Sequence, residues 1–197
     1  MILGSDVPGA TPIDDLSGLR QRHIQSRAEL NEAEADNIRA AVIAYLIAQP
    51  TERSAPFDVG WFRDLHREMF GKVWDWAGRW RTSQTNVGVA PSAIEVSLHQ
   101  LEGDLHAWGS SGMPMIEQSA HLHHRAVHIH PFVNGNGRWA RMLANIWLRR
   151  HGQPIIEWPY TVMGTESAIR NEYLIAVRAG DAGDLGRLLD MHRRYQR

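Results

Sequence analysis

His130-Pro131-Phe132-Val133-Asn134-Gly135-Asn136-Gly137-Arg138-Trp139-Ala140-Arg141 is the stretch from which the rest of the chain is read. It lies between two segments of helical period and gathers a histidine, two amides, two glycines and two arginines. Pro131 disfavours the α region for the residue before it, so the helix running into the stretch should stop at His130. Gly135 and Gly137 permit positive φ or close backbone approach, which suits a turn with N–H groups pointing inward. The next helix should begin around Gly137 and present its free N–H groups and positive dipole end to that turn. Arg138 and Arg141, at i and i+3, share one face of it. A base, an amide nest, a helix N-terminus and two guanidinium groups together make a phosphate site with a proton acceptor beside it. The residues alone point to phosphoryl or nucleotidyl chemistry.

Outward from this stretch the chain reads as nearly all helix. Pro114 should start the helix that runs down to His130, and a helix should continue from the stretch to about His151. Upstream, Ser26 with Glu29 three residues on has the form of a capping box, opening a helical pattern that lasts to Pro50. A second helix is expected from Asp58 to about Phe70, with Trp61, Phe62, Leu65, Met69 and Phe70 inward. Trp74, Trp76 and Trp80 cluster between glycines and are read as core packing. Thr82 to Val89 has strand character, bounded by Gly88 and Pro91, and is read as a small hairpin or flap over 82–91. A further helix should run from Pro91 through Trp108. Downstream, a loop with Pro154 and Pro159 precedes two last helices, near Thr165 to Ala179 and from Asp184 to the end. Residues 1–22 read as an irregular arm and 23–197 as a single domain.

With 197 residues, 43% apolar and 22% charged, the chain has ordinary globular composition and needs no covalent staples. No apolar run approaches a membrane span, and no charged-apolar-small leader opens the sequence. Cys 0 excludes a disulfide framework and thiolate chemistry and fits a reducing cytoplasm, the expected location. A net charge of −1 argues against bulk binding of nucleic acid through its phosphates.

Histidines crowd the helix before the stretch. His121, His124 and His128 share one face, and a pair at i and i+4 has zinc-ligand spacing. No Glu follows either histidine as a zincin requires, and no further carboxylate is evident nearby. Partly buried histidines bonded to neighbouring backbone are therefore the expectation. For His130 the bland reading is a protonated helix-terminal histidine beside the dipole. The adjacent anion site favours a neutral imidazole acting as a base, since its ordinary pKa of about 6.5 suits work near neutral pH.

The stretch also closely resembles the signature of the Fic family: a histidine, a phenylalanine, an acidic position, then Gly-Asn-Gly-Arg and a second arginine. Asp64-Leu65-His66-Arg67-Glu68-Met69-Phe70 with Trp76-Ala77-Gly78-Arg79-Trp80-Arg81 is similar to the segment leading into that family's target-binding hairpin. Arg170-Asn171-Glu172-Tyr173 with Gly180-Asp181 resembles its closing helices. The resemblance implies a mostly α Fic fold, a compact helical bundle with a short β-hairpin flap beside the active-site loop. It implies a protein adenylyltransferase, which transfers AMP from ATP to a Ser, Thr or Tyr hydroxyl of a second protein. In that scheme His130 takes the hydroxyl proton and Gly135, Asn136 and Gly137 cradle phosphates. Arg138 pairs with the β-phosphate and Arg141 with the γ-phosphate, while Phe132 anchors the loop. Tyr173 and Asn171 would approach the nucleobase.

Asn134 stands where the family usually has Asp or Glu, and is the implied contact to phosphate-bound Mg²⁺. Many members also carry an inhibitory helix whose glutamate occupies the second arginine. Glu29, Glu32 and Glu34 lie in the corresponding region, though the residue four after Ser26 is Leu30 and the inhibitory motif is not matched. The stretch 29–34 together with Asn134 most resembles the small Fic proteins called mobile mystery protein B, which implies a small helix-turn-helix, antitoxin-like partner. The alternatives are phosphate transfer of the Doc type and a catalytically weak nucleotide-binding protein acting through a partner.

Overall fold

The computed structural model describes residues 16–163 and 167–197. Eight α-helices are present among them: α1 (Arg27–Val42), α2 (Val59–Phe70), α3 (Ile94–Ser110), α4 (Met115–Ile129), α5 (Asn136–Arg150), α6 (Tyr160–Met163), α7 (Ala168–Asp181) and α8 (Gly186–Tyr195). A π-helical turn, Ile43–Ile47, extends α1, and a 3₁₀ turn, Pro91–Ala93, leads into α3. The fold is mostly α, as the periodicity predicts. The first 15 residues of the expected N-terminal arm, and Thr165, where the penultimate helix was expected to begin, lie outside the described residues.

Local chemistry sets most helix starts. Ser26 Oγ accepts from Glu29 N at 3.2 Å while Glu29 Oε2 accepts from Ser26 N at 2.9 Å, the reciprocal capping box expected from sequence. Asp58 caps α2 by accepting from Trp61 N at 2.7 Å. Ser167 caps α7 through Arg170 N at 3.1 Å. One element lies where a loop was expected: α6 follows Pro159, whose carbonyl accepts from Met163 N at 3.0 Å. Its single turn is too short to leave a periodic signal.

Helices α4 and α5 form the centre. Helices α3, α7 and α8 pack on α4, and α2 and the π turn pack on α5. From Trp139 to Leu148 every residue of α5 is buried, among them Trp139, Leu143 and Ile146 with no exposed surface. Trp74 is fully buried and stacks on Trp76 at 5.0 Å, so the tryptophan cluster is core packing. The segment 82–90 carries no strand assignment. It is a loop tethered at both ends to the junction of α4 and the signature stretch, by Arg81 N to Pro131 O at 2.9 Å and Val89 N to Ile129 O at 3.4 Å.

Candidate active site

His130 is the C-cap of α4 and takes a left-handed conformation, φ 51° and ψ 58°. That geometry costs an L-residue about 1–2 kcal/mol, so neighbours must hold it. Arg81, itself buried, does so by donating from Nε to His130 O at 2.7 Å, from Nη1 to Ser83 O at 2.9 Å and from Nη2 to Val89 O. Gly88 closes the cradle. A Cβ there would lie 2.6 Å from His130 Cβ and 2.8 Å from Arg81 Nη2.

The ring of His130 is oriented by Val127 O, 3.3 Å from Nδ1. A carbonyl only accepts, so Nδ1 carries the proton and Nε2 keeps its lone pair. Burial and, more weakly, the Arg81 charge push the imidazole pKa down to about 4 against the pull of the Val127 carbonyl. The side chain is therefore neutral near neutral pH, and the protonated, dipole-paired reading is not what this environment supports.

The loop after it is fixed from three sides. Asn136 Oδ1 accepts from Phe132 N at 2.9 Å and its Nδ2 donates to Phe132 O at 2.8 Å, closing the turn on itself. Phe132 has no exposed surface and stacks on His66 at 3.6 Å, with Trp80 and Trp139 around it. His66, fully buried on α2, accepts from Gly78 N at Nδ1 (3.1 Å), so its Nε2–H donates to Asn134 O at 3.0 Å. Gly135, the N-cap of α5, has φ 79° and leaves no room for a Cβ, which would meet Phe70 at 2.8 Å. Helix α5 begins at Asn136, one residue before the expected Gly137, and its first N–H groups open onto the turn.

The two arginines sit in different environments. Arg138 is one-third exposed, lies 4.7 Å over the Phe70 ring, and donates to Glu34 Oε2 at 2.6 Å. Arg141 is buried, with Nη1 beside Gly137 and its guanidinium 5.6 Å from the ring centroids of both Tyr160 and Tyr173. Tyr173 continues inward. Ser119 donates to Ile116 O at 2.7 Å, so it accepts from His192 Nδ1–H at 3.0 Å. His192 Nε2 then accepts from His123 Nδ1–H at 2.9 Å, and His123 Nε2 accepts from the Tyr173 hydroxyl at 3.0 Å. Every proton in this buried chain is placed with both histidines neutral. Burial pushes His192 down to about 3 and, with the neighbouring His192, holds His123 well below the usual range. Tyr173 is thus committed inward rather than offered to a base, and Asn171 is an exposed residue of α7.

The glutamates separate cleanly. Glu29 is spent on the capping box, bonding Gln25 N and Ser26 N, and Glu32 is exposed. Glu34 is buried, takes Trp74 Nε1–H at 2.7 Å on one oxygen and Arg138 on the other. It meets the first arginine, Arg138, and not Arg141 as the resemblance implied. Arg138 is one-third exposed beside Phe70, where Glu34 reaches it, whereas Arg141 is buried.

Asn134 Oδ1 accepts from Gly135 N at 2.6 Å. A carboxamide oxygen is an acceptor without charge, unlike the carboxylate that the resemblance implies at this position. No carboxylate lies in 130–141. A cavity of about 840 Å³ lies between α1 and α2 and is lined by none of these signature residues. The site is defined by its groups, not by that hollow. Sequence reasoning gave no role to His66 or Arg81, which hold the loop and its base. Both lie in the stretches that resemble the segment leading into the family's target-binding hairpin, which gives neither of them an individual role.

Residues 56–148 match the family model described as Fic/DOC family. Over 128 residues the chain is 35% identical to "Protein adenylyltransferase fic-1" of Caenorhabditis briggsae, covering 62% of this chain and 24% of that protein. Over 127 residues it is 31% identical to "Protein adenylyltransferase Fic" of Drosophila persimilis, again 62% and 24%. The chain therefore spans about a quarter of the length of the curated relatives it matches. Among solved structures, the BepC protein of Bartonella tribocorum with bound AMPPNP superposes with a TM-score of 0.69 at 18% identity, over 92% of this chain and 93% of that one. Fic-1 from C. elegans gives 0.68 at 24% identity, over 89% and 50%.

Proposed function

Because the chain carries a domain of the Fic/DOC family, we propose that it transfers AMP from ATP to a Ser, Thr or Tyr hydroxyl of a target protein. One observation carries the reading: a neutral imidazole with a free Nε2 lone pair stands on the same short loop as the open N-terminus of α5 and two guanidinium groups. The relatives' name, protein adenylyltransferase, supports it. ATP phosphates lie against the first N–H groups of α5, with Arg141 beside Gly137 and Arg138 at the rim. The target oxygen forms a bond to the α-phosphorus as its proton passes to His130 Nε2. The bond to the bridging oxygen breaks and pyrophosphate leaves with the electron pair. Positioning and charge neutralisation do most of the work in such a transfer. Phosphate transfer of the Doc type is the weaker alternative, since Gly135-Asn136-Gly137-Arg138 is intact. The work is assigned to the cytoplasm, alongside a small helix-turn-helix partner. The test is incubation with labelled ATP, Mg²⁺ and cell lysate, in which labelled protein appears with the parent and not with His130→Ala.

Glu34 sets the resting state in this proposal. Its carboxylate holds one donor edge of Arg138, and a bound β-phosphate must compete for that guanidinium. Glu34→Gln keeps an acceptor for Trp74 and turns an amide toward Arg138, releasing it. Automodification is expected to rise about fivefold or more, a coupling of about 1–3 kcal/mol, while Glu29→Gln and Glu32→Gln leave it unchanged. Equal rates for all three would remove the restraint from the scheme.

Mg²⁺ fits here only as a companion of the substrate phosphates, with Asn134 as a neutral protein oxygen. When bound it neutralises phosphate charge. Asn134→Asp adds a charge at that oxygen and is expected to lower the Mg²⁺ concentration for half-maximal transfer and raise the rate. Identical Mg²⁺ titrations of the two proteins would show that residue 134 does not contact the metal.

A further inference from the structure

We propose that His124, His128 and Asp181 form a binding site for a single transition-metal ion, of which Zn²⁺ is the best-matched. His124 Nε2 lies 3.1 Å and His128 Nδ1 2.8 Å from the same oxygen, Asp181 Oδ1, and all three ligand atoms fall within 4.8 Å of one another. Zinc bonds nitrogen and oxygen at about 2.0–2.1 Å, so tetrahedral ligand atoms stand roughly 3.3 Å apart. The two imidazole nitrogens stand 3.1 and 2.8 Å from Asp181 Oδ1, so these separations need to open by only a few tenths of an ångström to admit the ion.

The elements explain why the donors meet. His124 and His128 are one turn apart on α4, and Asp181 is the last residue of α7. Gly180 makes the approach possible. A Cβ there would lie 2.5 Å from His124 Cδ2 and 2.7 Å from His124 Nε2, so the imidazole lies flat against bare backbone. His124 is buried, which depresses its pKa despite the Asp181 carboxylate and favours the neutral form that ligates metals. His128 and Asp181 are half-exposed, leaving an entry path and a fourth position for water. The sequence pattern placed His121 on this face, but its ring packs on Trp108 at 5.4 Å instead. The third ligand comes from 53 residues beyond His128, which spacing along one helix cannot reveal.

Two imidazoles and one carboxylate select zinc, cobalt, nickel or copper over magnesium and calcium. An ion here ties the last turns of α4, whose cap is His130, to the end of α7, which carries Tyr173. The site is separate from the phosphate loop and requires no assumption about the reaction.

The experiment is calorimetric titration of Zn²⁺ into the full chain, chelator-treated and free of any polyhistidine tag, with Co²⁺ absorption in parallel. One saturable equivalent is expected, with visible Co²⁺ bands of tetrahedral intensity and a thermal midpoint that rises with Zn²⁺. His128→Ala and Asp181→Asn, both at half-exposed positions, should each weaken binding about tenfold or more with circular dichroism unchanged, and His121→Ala should leave it intact. Millimolar Mg²⁺ should not compete. Absent saturable binding, binding indifferent to both variants, loss in His121→Ala, or displacement by Mg²⁺ would each overturn the site.

Discussion

His130→Ala is expected to lower transfer by about 10²–10⁴-fold, the worth of a positioned general base, while ATP affinity stays within about twofold of the parent's. The split follows from the geometry. The imidazole sits at the end of α4, bonded to Val127 and held by Arg81, whereas the groups proposed to hold phosphate belong to the start of α5 and its arginines. Removing the ring deletes the proton acceptor and leaves the nest closed by Asn136 and Phe132. The pH dependence has a fixed sign. Free His130 has its pKa pushed down to about 4, so the basic form dominates near neutral pH and activity falls only on the acid side. A bound phosphate raises that pKa, so the acid limb measured with ATP should lie above about 4. Calorimetry for ATP affinity and labelled-target rates for transfer check the two halves separately. Parallel loss of both would assign His130 to binding instead.

A second large effect is expected in stability. His66, His123 and His192 have no exposed surface and are neutral in the fold, with His66 and His192 each pushed down to about 3 by burial. In the unfolded chain all three titrate near the ordinary imidazole value. Between about 6.5 and about 3 the unfolded state therefore binds more protons, and stability falls as pH falls. Each such proton is worth about 1.4 kcal/mol per pH unit, so three acting together approach about 4 kcal/mol per unit. Against a typical total of about 5–15 kcal/mol, the protein should unfold cooperatively within about two units below neutrality. Urea midpoints measured from pH 7 downward check this. His192→Asn keeps polar contacts with Ser119 and His123 while deleting one titration, and should flatten the slope by about a third. A stability profile flat through this range would contradict the neutral buried chain.

The legibility of the chain divides along physical lines. Capping chemistry is local, so Ser26 with Glu29 and Asp58 with Trp61 could be read directly from adjacent residues. The end of α4 at His130 follows from Pro131 in the same way, whereas α5 starts one residue before the expected Gly137. Pairings across the fold were not accessible. Glu34 reaches Arg138 from 104 residues away, and Asp181 reaches His128 from 53. No spacing rule predicts which of three glutamates turns inward, or that it meets the first arginine. His66 was hidden because a buried histidine on an apolar helix face looks like any half-polar position. Its role depends on Gly78 and Asn134, which the fold brings to its two nitrogens. Thr82 to Val89 has a strand-like composition, and Arg81, just before it, takes the Ser83 and Val89 carbonyls as acceptors.

The central claim is AMP transfer driven by His130. It is tested most directly by incubating the Glu34→Gln protein with ATP labelled at the α-phosphorus and, in parallel, at the γ-phosphorus, with the same lysate. The account predicts label on protein from α-labelled ATP alone, abolished by adding His130→Ala. Label from γ-labelled ATP alone would mean phosphate transfer, and label from neither would leave a nucleotide-binding protein without this chemistry. Either result would contradict the account.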